Sequence, residues 1–176
     1  MIADLKANHH FWSWILLIIF RYGQFIDSLR IPKWVNFILS VPYYLGNIFI
    51  IEGLLHCHFP RSIRIEPGIS LFHPYGIMIN RNTVIGRGVI IRNSVTLGVK
   101  HQGDPTYIEI GHGVDIGAGA RIIGNVSIGK NCKIGTNAVV LNSFEDGSTI
   151  VGVPARKIEH KNSNIERETQ DANYSK

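Results

Sequence analysis

Residues 110–141 read IGHGVDIGAGARIIGNVSIGKNCKIGTNAVVL, and the spacing within this stretch decides the fold. An aliphatic residue stands at every sixth position, in the order Ile110, Ile116, Ile122, Ile128, Ile134 and Val140. The same spacing holds upstream for Ile79, Ile85, Ile91 and Leu97. Glycine directly follows six of these ten aliphatic residues, and glycine tolerates the backbone angles of a tight corner.

A second set of smaller residues keeps the same period, four positions later. Its members are Thr83, Val89, Val95, Val114, Ala120, Val126, Cys132 and Ala138. Each lies two residues before the next aliphatic residue, so both project from the same face of a short strand. A period of six predicts a triangular coil of parallel strands, a β-helix. Residues 61–158 supply about five coils of about 18 residues, and each coil buries its interior by stacking on the next.

The period breaks between Leu97 and Ile110, which lie 13 residues apart. The segment between them is polar and contains Gly103, Asp104 and Pro105, so it cannot continue a regular coil. We expect this segment to loop out, and extruded loops often carry function.

Two other folds fit the sequence less well than a β-helix. Ten residues in phase argue against a chance pattern in a β-sandwich, and no glycine cluster completes the GxGxxG pattern of a dinucleotide-binding fold.

Residues 1–60 lack the repeat and are predicted to form an N-terminal helical segment. We expect a helix over residues 3–28, an interruption at Ile31-Pro32, and a second helix in part of 35–55. Pro42 and Gly46-Asn47 interrupt the second apolar stretch, so neither stretch is predicted to be a clean transmembrane helix. Residues 159–176 are mostly polar, and we expect a disordered tail there.

The chain of 176 residues has a net charge of +5 and a pI of about 9.4. It has no run of five basic residues and no zinc-finger or RNA-binding motif. The charge is therefore predicted to serve a membrane surface or a phosphate-bearing cofactor, and not a nucleic acid. Cys57 and Cys132 lie far apart, which favours buried free thiols in a reducing, cytoplasmic compartment. No His/Cys cluster has metal-ligand spacing, so no metal is predicted.

Five stretches resemble the catalytic domain of the serine acetyltransferases, a left-handed β-helix. They are residues 72–76 (FHPYG), 94–98 (SVTLG), 116–120 (IGAGA), 123–125 (IGN) and 151–156 (VGVPAR). The whole chain is more similar still to the acetyltransferases of exopolysaccharide clusters, of the colanic acid type, through residues 4–8 (DLKAN) and 79–82 (INRN). The resemblance identifies a hexapeptide-repeat acyltransferase that uses acetyl-CoA as its co-substrate and assembles as a homotrimer, with a dimer of trimers as a larger assembly.

The resemblance gives His73 the role of the general base that takes the acceptor's hydroxyl proton. From the residues alone, a structural histidine at a corner of the coil is the alternative. The group that orients His73 stays open among His58, Glu66 and a backbone carbonyl. The resemblance also implies a cofactor groove between neighbouring β-helices. Its predicted lining is Gly98, Ala118 and Thr136, with Arg156 and Lys157 near the nucleotide phosphates.

The chain departs from the serine acetyltransferases at three places. They have an aspartate before the catalytic histidine, where this chain has Phe72, and another 15 residues upstream of the histidine, where this chain has His58. Their Asp-Arg-His segment in the extruded loop becomes residues 104–106 (DPT). These departures disfavour serine as the acceptor. We expect Phe72, His58 and the loop residue His101 to face a saccharide instead, although His101 is equally well read as a solvated loop histidine.

The predicted function is O-acetylation of a sugar hydroxyl in exopolysaccharide, capsule or O-antigen assembly. Two alternatives stay open: a serine O-acetyltransferase of cysteine biosynthesis, and a non-catalytic β-helix assembly protein. The apolar N-terminal stretches have Arg21, Arg30, Lys33 and Arg61 nearby, which suits peripheral association with the inner face of a membrane. Packing of these helices on the coil or on a partner is the equal alternative.

Overall fold

The computed structural model describes residues 1–101, 103 and 106–158, so the predicted tail at 159–176 lies outside the described residues. The chain begins with α1 (Ile2–Ala7), α2 (Phe11–Ser28), α3 (Lys33–Gly46) and a π-helix (Asn47–Leu54). The interruption predicted at Ile31-Pro32 is confirmed, because α2 ends at Ser28 and Pro32 directly precedes α3. The second predicted helix is confirmed as well.

The strands that follow form three sheets, numbered here in order of appearance. Sheet 1 contains β1 (Arg64–Ile65), β4 (Thr83–Ile85), β7 (Ile108–Ile110) and β10 (Val126–Ile128). Sheet 2 contains β2 (Ser70–Phe72), β5 (Ile90–Arg92), β8 (Asp115–Ile116), β11 (Lys133–Ile134), β13 (Thr149–Gly152) and β14 (Ala155–Ile158). Sheet 3 contains β3 (Met78–Ile79), β6 (Thr96–Gly98), β9 (Arg121–Ile123) and β12 (Val139–Val140). From β1 to β12 the chain visits sheets 1, 2 and 3 in turn, and each strand from β1 to β9 pairs in parallel with the strand three later.

The aliphatic residues of the repeat form three ladders inside this triangular coil. The ladders are Ile85, Ile110 and Ile128 in sheet 1; Ile91, Ile116 and Ile134 in sheet 2; and Ile79, Leu97, Ile122 and Val140 in sheet 3. All ten side chains are buried, as is the set of smaller residues that includes Cys132. Burying one such aliphatic side chain contributes about 1.5–3 kcal/mol, so the ladders are a main source of stability. The predicted coil of parallel strands is confirmed.

The prediction of one helix over residues 3–28 is wrong near its start. Asn8 ends α1 in extended backbone (φ −121°, ψ 140°), and α2 begins only at Phe11. The cause is a pairing with the coil: Asn8 Nδ2 donates to the carbonyl of Ile69 (2.8 Å), and Asn8 Oδ1 accepts from the N–H of Leu71 (2.7 Å). The side chain thus completes the hydrogen bonding of β2. The break places the α1–α2 junction against β2.

Asp4 holds α1 on the coil through a buried carboxylate. The carboxylate accepts hydrogen bonds from Arg21 Nε (3.0 Å) and from the backbone N–H groups of Gly68 (2.7 Å) and Ile69 (3.3 Å). Burial by itself raises the pKa of Asp4. The hydrogen bonds from Arg21 and Gly68, together with the Arg21 charge, outweigh burial and bring the pKa below its ordinary value of 3.8.

We expect this carboxylate to make the folded state sensitive to acid. Because the folded pKa of Asp4 lies below the unfolded value, its contribution is complete above the unfolded pKa and is lost as pH falls through the folded pKa. Denaturant unfolding of wild type and Asp4→Asn between about pH 7 and pH 2 measures the effect. The stability difference between the two proteins should shrink as the pH falls. A difference that stays constant over this range would contradict the assignment.

Residues Lys33–Leu54 form one unbroken helical stretch, which differs from the expected interruption at Pro42 and Gly46-Asn47. The helix passes Pro42 and changes to π hydrogen bonding from Asn47, whose N–H donates to the carbonyls of both Tyr43 and Tyr44. The helix thus continues through Pro42, although proline has no N–H to donate to the carbonyl of Ile38. By length and composition the stretch could cross a membrane, and only 17% of its most apolar window is buried.

Candidate active site

His73 lies at a corner of the coil that contains two extra residues. The ladder advances eight positions from Leu71 to Ile79, whereas it advances six from Ile91 to Leu97. The extra residues follow β2, and His73 adopts left-handed backbone there (φ +51°). The insertion carries the His73 side chain outward, where it is exposed, and leaves the interior ladder undisturbed.

A buried thiol supports this corner from inside. Cys57 Sγ donates to the carbonyl of Pro74 (3.2 Å) and accepts from the N–H of Ile77 (3.3 Å). Burial raises the pKa of the Cys57 thiol, so the thiol keeps the proton that it donates. Cys57 is therefore part of the interior, in line with its prediction as a small buried residue.

The imidazole of His73 contacts the ring of His10 edge to face, with ring centroids 5.2 Å apart. His10 directly precedes α2. It is held in place by Asn8 and by Ser13, whose hydroxyl donates to the carbonyl of Leu71 (2.7 Å). His10 was not among the predicted site residues. Its only local signal is a polar pair, His9-His10, before an apolar helix, and its contact with His73 arises from packing between distant parts of the chain.

A cleft of about 230 Å³ opens beside this pair of histidines. One side is formed by residues 7–10 and the other by residues 70–73. Nδ1 of His10 is buried and has no hydrogen-bond partner among the described residues. Among the described residues that line the cleft, none carries a carboxylate.

Phe72, next to His73, begins a row of side chains on the outer face of sheet 2. Its exposed ring lies 5.8 Å from the guanidinium carbon of Arg92. Arg92 in turn forms an ion pair with the carboxylate of Asp115, on the next strand of the sheet. Arg92 and Asp115 were not among the predicted site residues. Their positions beside Ile91 and Ile116 of the repeat could have predicted that both project from this face.

A shallow groove of about 340 Å³ continues this row from Arg92 and Asp115 to Thr136 and Val151. Thr136 and the predicted Ala118 lie in successive coils, where the N–H of Asn137 donates to the carbonyl of Ala118 (2.9 Å). Like His73, both lie in connections from sheet 2 to sheet 3. Three coil spacings, about 14 Å, separate the coil of His73 from that of Thr136. The structure therefore brings three predicted site residues onto one edge.

The other predicted cofactor residues are more widely distributed. Gly98 ends β6, at the far end of the sheet 3 strands from this edge. In the antiparallel pair β13–β14, Arg156 lies opposite Val151 and Lys157 lies opposite Ile150. Because opposite residues share a face, Arg156 projects with Val151 towards the groove. Lys157 projects to the other face, with the buried Ile150. The two basic residues are therefore separated.

Two groups predicted as partners of His73 make other contacts. His58 Nδ1 lies 3.5 Å from a carboxylate oxygen of Glu52, and a carboxylate oxygen of Glu66 lies 3.6 Å from Nδ1 of His112. The described contacts thus place His10 against His73. The backbone carbonyl of His73 itself accepts from the N–H of Tyr75 (2.7 Å).

His101 is exposed in the segment between β6 and β7, of which residues 102, 104 and 105 lie outside the described residues. Its predicted contact with the acceptor stays a prediction. Among the described residues, no group of three or more His, Cys, Asp and Glu side chains is placed to hold a metal ion.

The sequence is similar to a known protein family and to known acetyltransferases. The family description "Bacterial transferase hexapeptide (six repeats)" matches residues 107–142. The serine acetyltransferase of Haemophilus influenzae is 37% identical over 164 residues, which cover 88% of this chain and 60% of that protein. A candidate colanic acid biosynthesis acetyltransferase (WcaB) of Escherichia coli strain K12 is 30% identical over 161 residues, which cover 89% of this chain and 97% of that protein.

Solved structures agree with these relatives. A serine acetyltransferase in complex with cysteine superposes with a TM-score of 0.70 at 28% identity, over 88% of this chain and 57% of that one. The soybean serine acetyltransferase apoenzyme gives a TM-score of 0.66 at 30% identity, over 85% of this chain and 58% of that one. The chain thus spans about 60% of the serine acetyltransferase of Haemophilus influenzae but nearly all of the colanic acid relative. It belongs to the hexapeptide-repeat acetyltransferases.

Proposed function

We propose that the protein transfers an acetyl group from acetyl-CoA to a sugar hydroxyl during exopolysaccharide, capsule or O-antigen assembly. The observation that carries this proposal is the position of His73, which an insertion pushes out of the coil onto one edge. That edge leads past Ala118 and Thr136 towards Arg156. A base at one end and a positive charge at the other suit a thioester whose far end bears phosphates.

In the proposed reaction, His73 takes the proton of the acceptor hydroxyl as its oxygen attacks the thioester carbonyl. The new C–O bond forms, the C–S bond breaks, and the proton passes from the imidazole to the leaving thiolate. The imidazole is then neutral again and ready for another turnover. His10 packs against His73 and limits the orientations of its ring, which favours the one that faces the acceptor.

The cleft supports a sugar more than serine as the acceptor. Free serine carries an ammonium group, which calls for a carboxylate, and the part of the cleft lining that the structure describes contains none. Phe72 instead offers an exposed aromatic face beside His73, and such a face suits the C–H surface of a sugar ring. Serine remains the second candidate because of the 37% identity to a serine acetyltransferase.

A thiol-release assay with acetyl-CoA and a panel of acceptors tests this proposal. Nucleotide-linked, lipid-linked and polymeric sugars should accelerate release of the CoA thiol, and mass spectrometry should find the acetyl group on the sugar. Release that is fastest with serine would instead establish the second candidate. Protein that binds acetyl-CoA but transfers to no acceptor would favour the non-catalytic alternative.

The proposed enzyme is a homotrimer of left-handed coils with a cofactor groove between neighbouring subunits. It works in the cytoplasm, where its two buried free cysteines remain reduced. Sedimentation velocity at the concentration of the assay measures the mass. A fully active monomer would exclude a groove that two subunits share.

Arg156→Ala is expected to raise the KM for acetyl-CoA about tenfold with little change in kcat, because it removes a charged donor to phosphate. Lys157→Ala is the matched control, since it removes the same charge from the neighbouring residue, which projects to the opposite face. We expect the control to change KM by less than about twofold. Initial rates over a range of acetyl-CoA concentrations give both values. Equal effects of the two substitutions on KM would contradict a role for Arg156 in binding acetyl-CoA in the groove.

A further inference from the structure

Helix α3 turns its apolar side away from the protein. The residues on this side follow the helical spacing i, i+3, i+4, i+7 and form one stripe. The outer stripe, as we call it, consists of Trp34, Phe37, Ile38, Val41 and Leu45 of α3 and of Ile48 in the π-helix that continues α3. Between 41% and 69% of each of these residues is exposed. An apolar surface of this extent on one helix is typical of a docking site.

The opposite side of α3 is polar and is tied to the rest of the protein. Asn36 Nδ2 donates to the carbonyl of Ile26 (3.3 Å), and Arg61 Nη1 donates to the Ser40 hydroxyl (3.2 Å). The Arg61 guanidinium carbon also lies 5.2 Å from the ring centroid of Tyr43. The usual arrangement, with apolar residues inward and polar residues outward, is therefore reversed. These contacts hold α3 in the orientation that exposes the outer stripe.

The charges around the stripe indicate which surface it meets. Arg30 and Lys33 are exposed at its amino-terminal end, next to Trp34. No acidic residue occurs between Asp27 and Glu52. An anionic lipid surface complements these charges, and tryptophan is favoured at the boundary between headgroups and acyl chains. A second copy of this chain would bring an equally basic segment to the same contact.

The contacts between the polar side of α3 and the rest of the protein indicate how α3 would lie at a membrane. The stretch Lys33–Leu54 has 22 residues, which is long enough to span a bilayer. Spanning would carry the Asn36, Ser40 and Arg61 contacts into hydrocarbon, at a large cost in free energy. We propose that α3 lies along the surface of an anionic membrane, with the outer stripe among the lipids and the coil in water.

Vesicle flotation with the full-length protein tests this proposal. The vesicles are pure phosphatidylcholine or phosphatidylcholine mixed with the anionic lipid phosphatidylglycerol. Wild type should float with the anionic vesicles. It should not float when only neutral vesicles are present. The double variant Phe37→Ser, Leu45→Ser should lower the partition coefficient by about tenfold or more. The matched control, Leu141→Ser with Val153→Ser, changes two exposed apolar residues on the coil and should float like wild type.

A second variant tests the charge independently of the apolar contact. Arg30→Glu with Lys33→Glu should weaken binding to anionic vesicles while leaving the outer stripe intact. Wild type that floats with neither vesicle, or equally with both, would overturn the proposal. It would also be overturned if the stripe variant bound like wild type. Without lipid, sedimentation velocity should give wild type and the Phe37→Ser, Leu45→Ser variant the same mass. A lower mass for the stripe variant would show that the stripe joins copies of the chain.

Discussion

Replacing His73 by asparagine is expected to lower the rate of acetyl transfer by about 10²–10⁴-fold, the usual effect of losing a general base. Asparagine is the informative replacement, because it tolerates the left-handed backbone of His73 better than alanine does. The exposed imidazole contributes nothing to the interior ladders, so thermal unfolding should be unchanged. The measurement is thiol release with a competent acceptor, together with acetyl-CoA binding.

His112→Asn is the matched control for this experiment. His112 is another half-exposed histidine, in the connection from sheet 1 to sheet 2, and its Nδ1 accepts from the N–H of Arg87 (3.0 Å). Asparagine can supply a replacement acceptor there, so activity and melting should both be retained. If His73→Asn folds, binds acetyl-CoA and turns over almost normally, His73 is not the base. His10, His58 and His101 would then be tested in its place.

Replacing Asp4 by alanine is expected to lower the free energy of unfolding by about 3–5 kcal/mol, because it leaves Arg21, whose side chain is only 15% exposed, without its counter-charge. The N–H groups of Gly68 and Ile69 lose their acceptor at the same time. For a chain of this size, the change corresponds to a fall in Tm of about 10 °C. Thermal and denaturant unfolding at neutral pH measure it. Activity well below Tm should also fall, since α1 helps to hold His10 against His73.

Asp27→Ala is the control, because Asp27 also pairs with an arginine but is much more exposed. Its carboxylate lies 3.0 Å from Arg61 Nε and is 42% exposed, against 1% for Asp4. An exposed pair of this kind contributes less than about 1 kcal/mol. Equal losses of stability in the two variants would show that Asp4 is no more important than a surface carboxylate.

The coil could be predicted from the sequence because every unit of six residues meets the same environment, so one pattern specifies each ladder. The break at Asn8 could not, since its partners Ile69 and Leu71 lie 61 and 63 residues away. The same holds for His10, whose contact with His73 depends on how α2 packs on β2. The separation of Arg156 and Lys157 is a different case. Neighbouring residues of one strand project to opposite faces, so the separation follows once both residues are known to lie in β14. The sequence did not indicate where β14 begins.

The stacking of the ladder residues does not depend on how many residues separate one ladder residue from the next. Successive ladder residues in sheet 1, from Ile65 through Ile85 and Ile110 to Ile128, are 20, 25 and 18 residues apart, yet they stack without a gap. Insertions are thus absorbed at the corners. Chemistry can be added to such a scaffold by lengthening one corner, with no substitution inside the coil. The extra residues at His73 and the longer segment around His101 are two separate instances. Other corners offer equivalent places where new specificity could evolve or be engineered independently of stability.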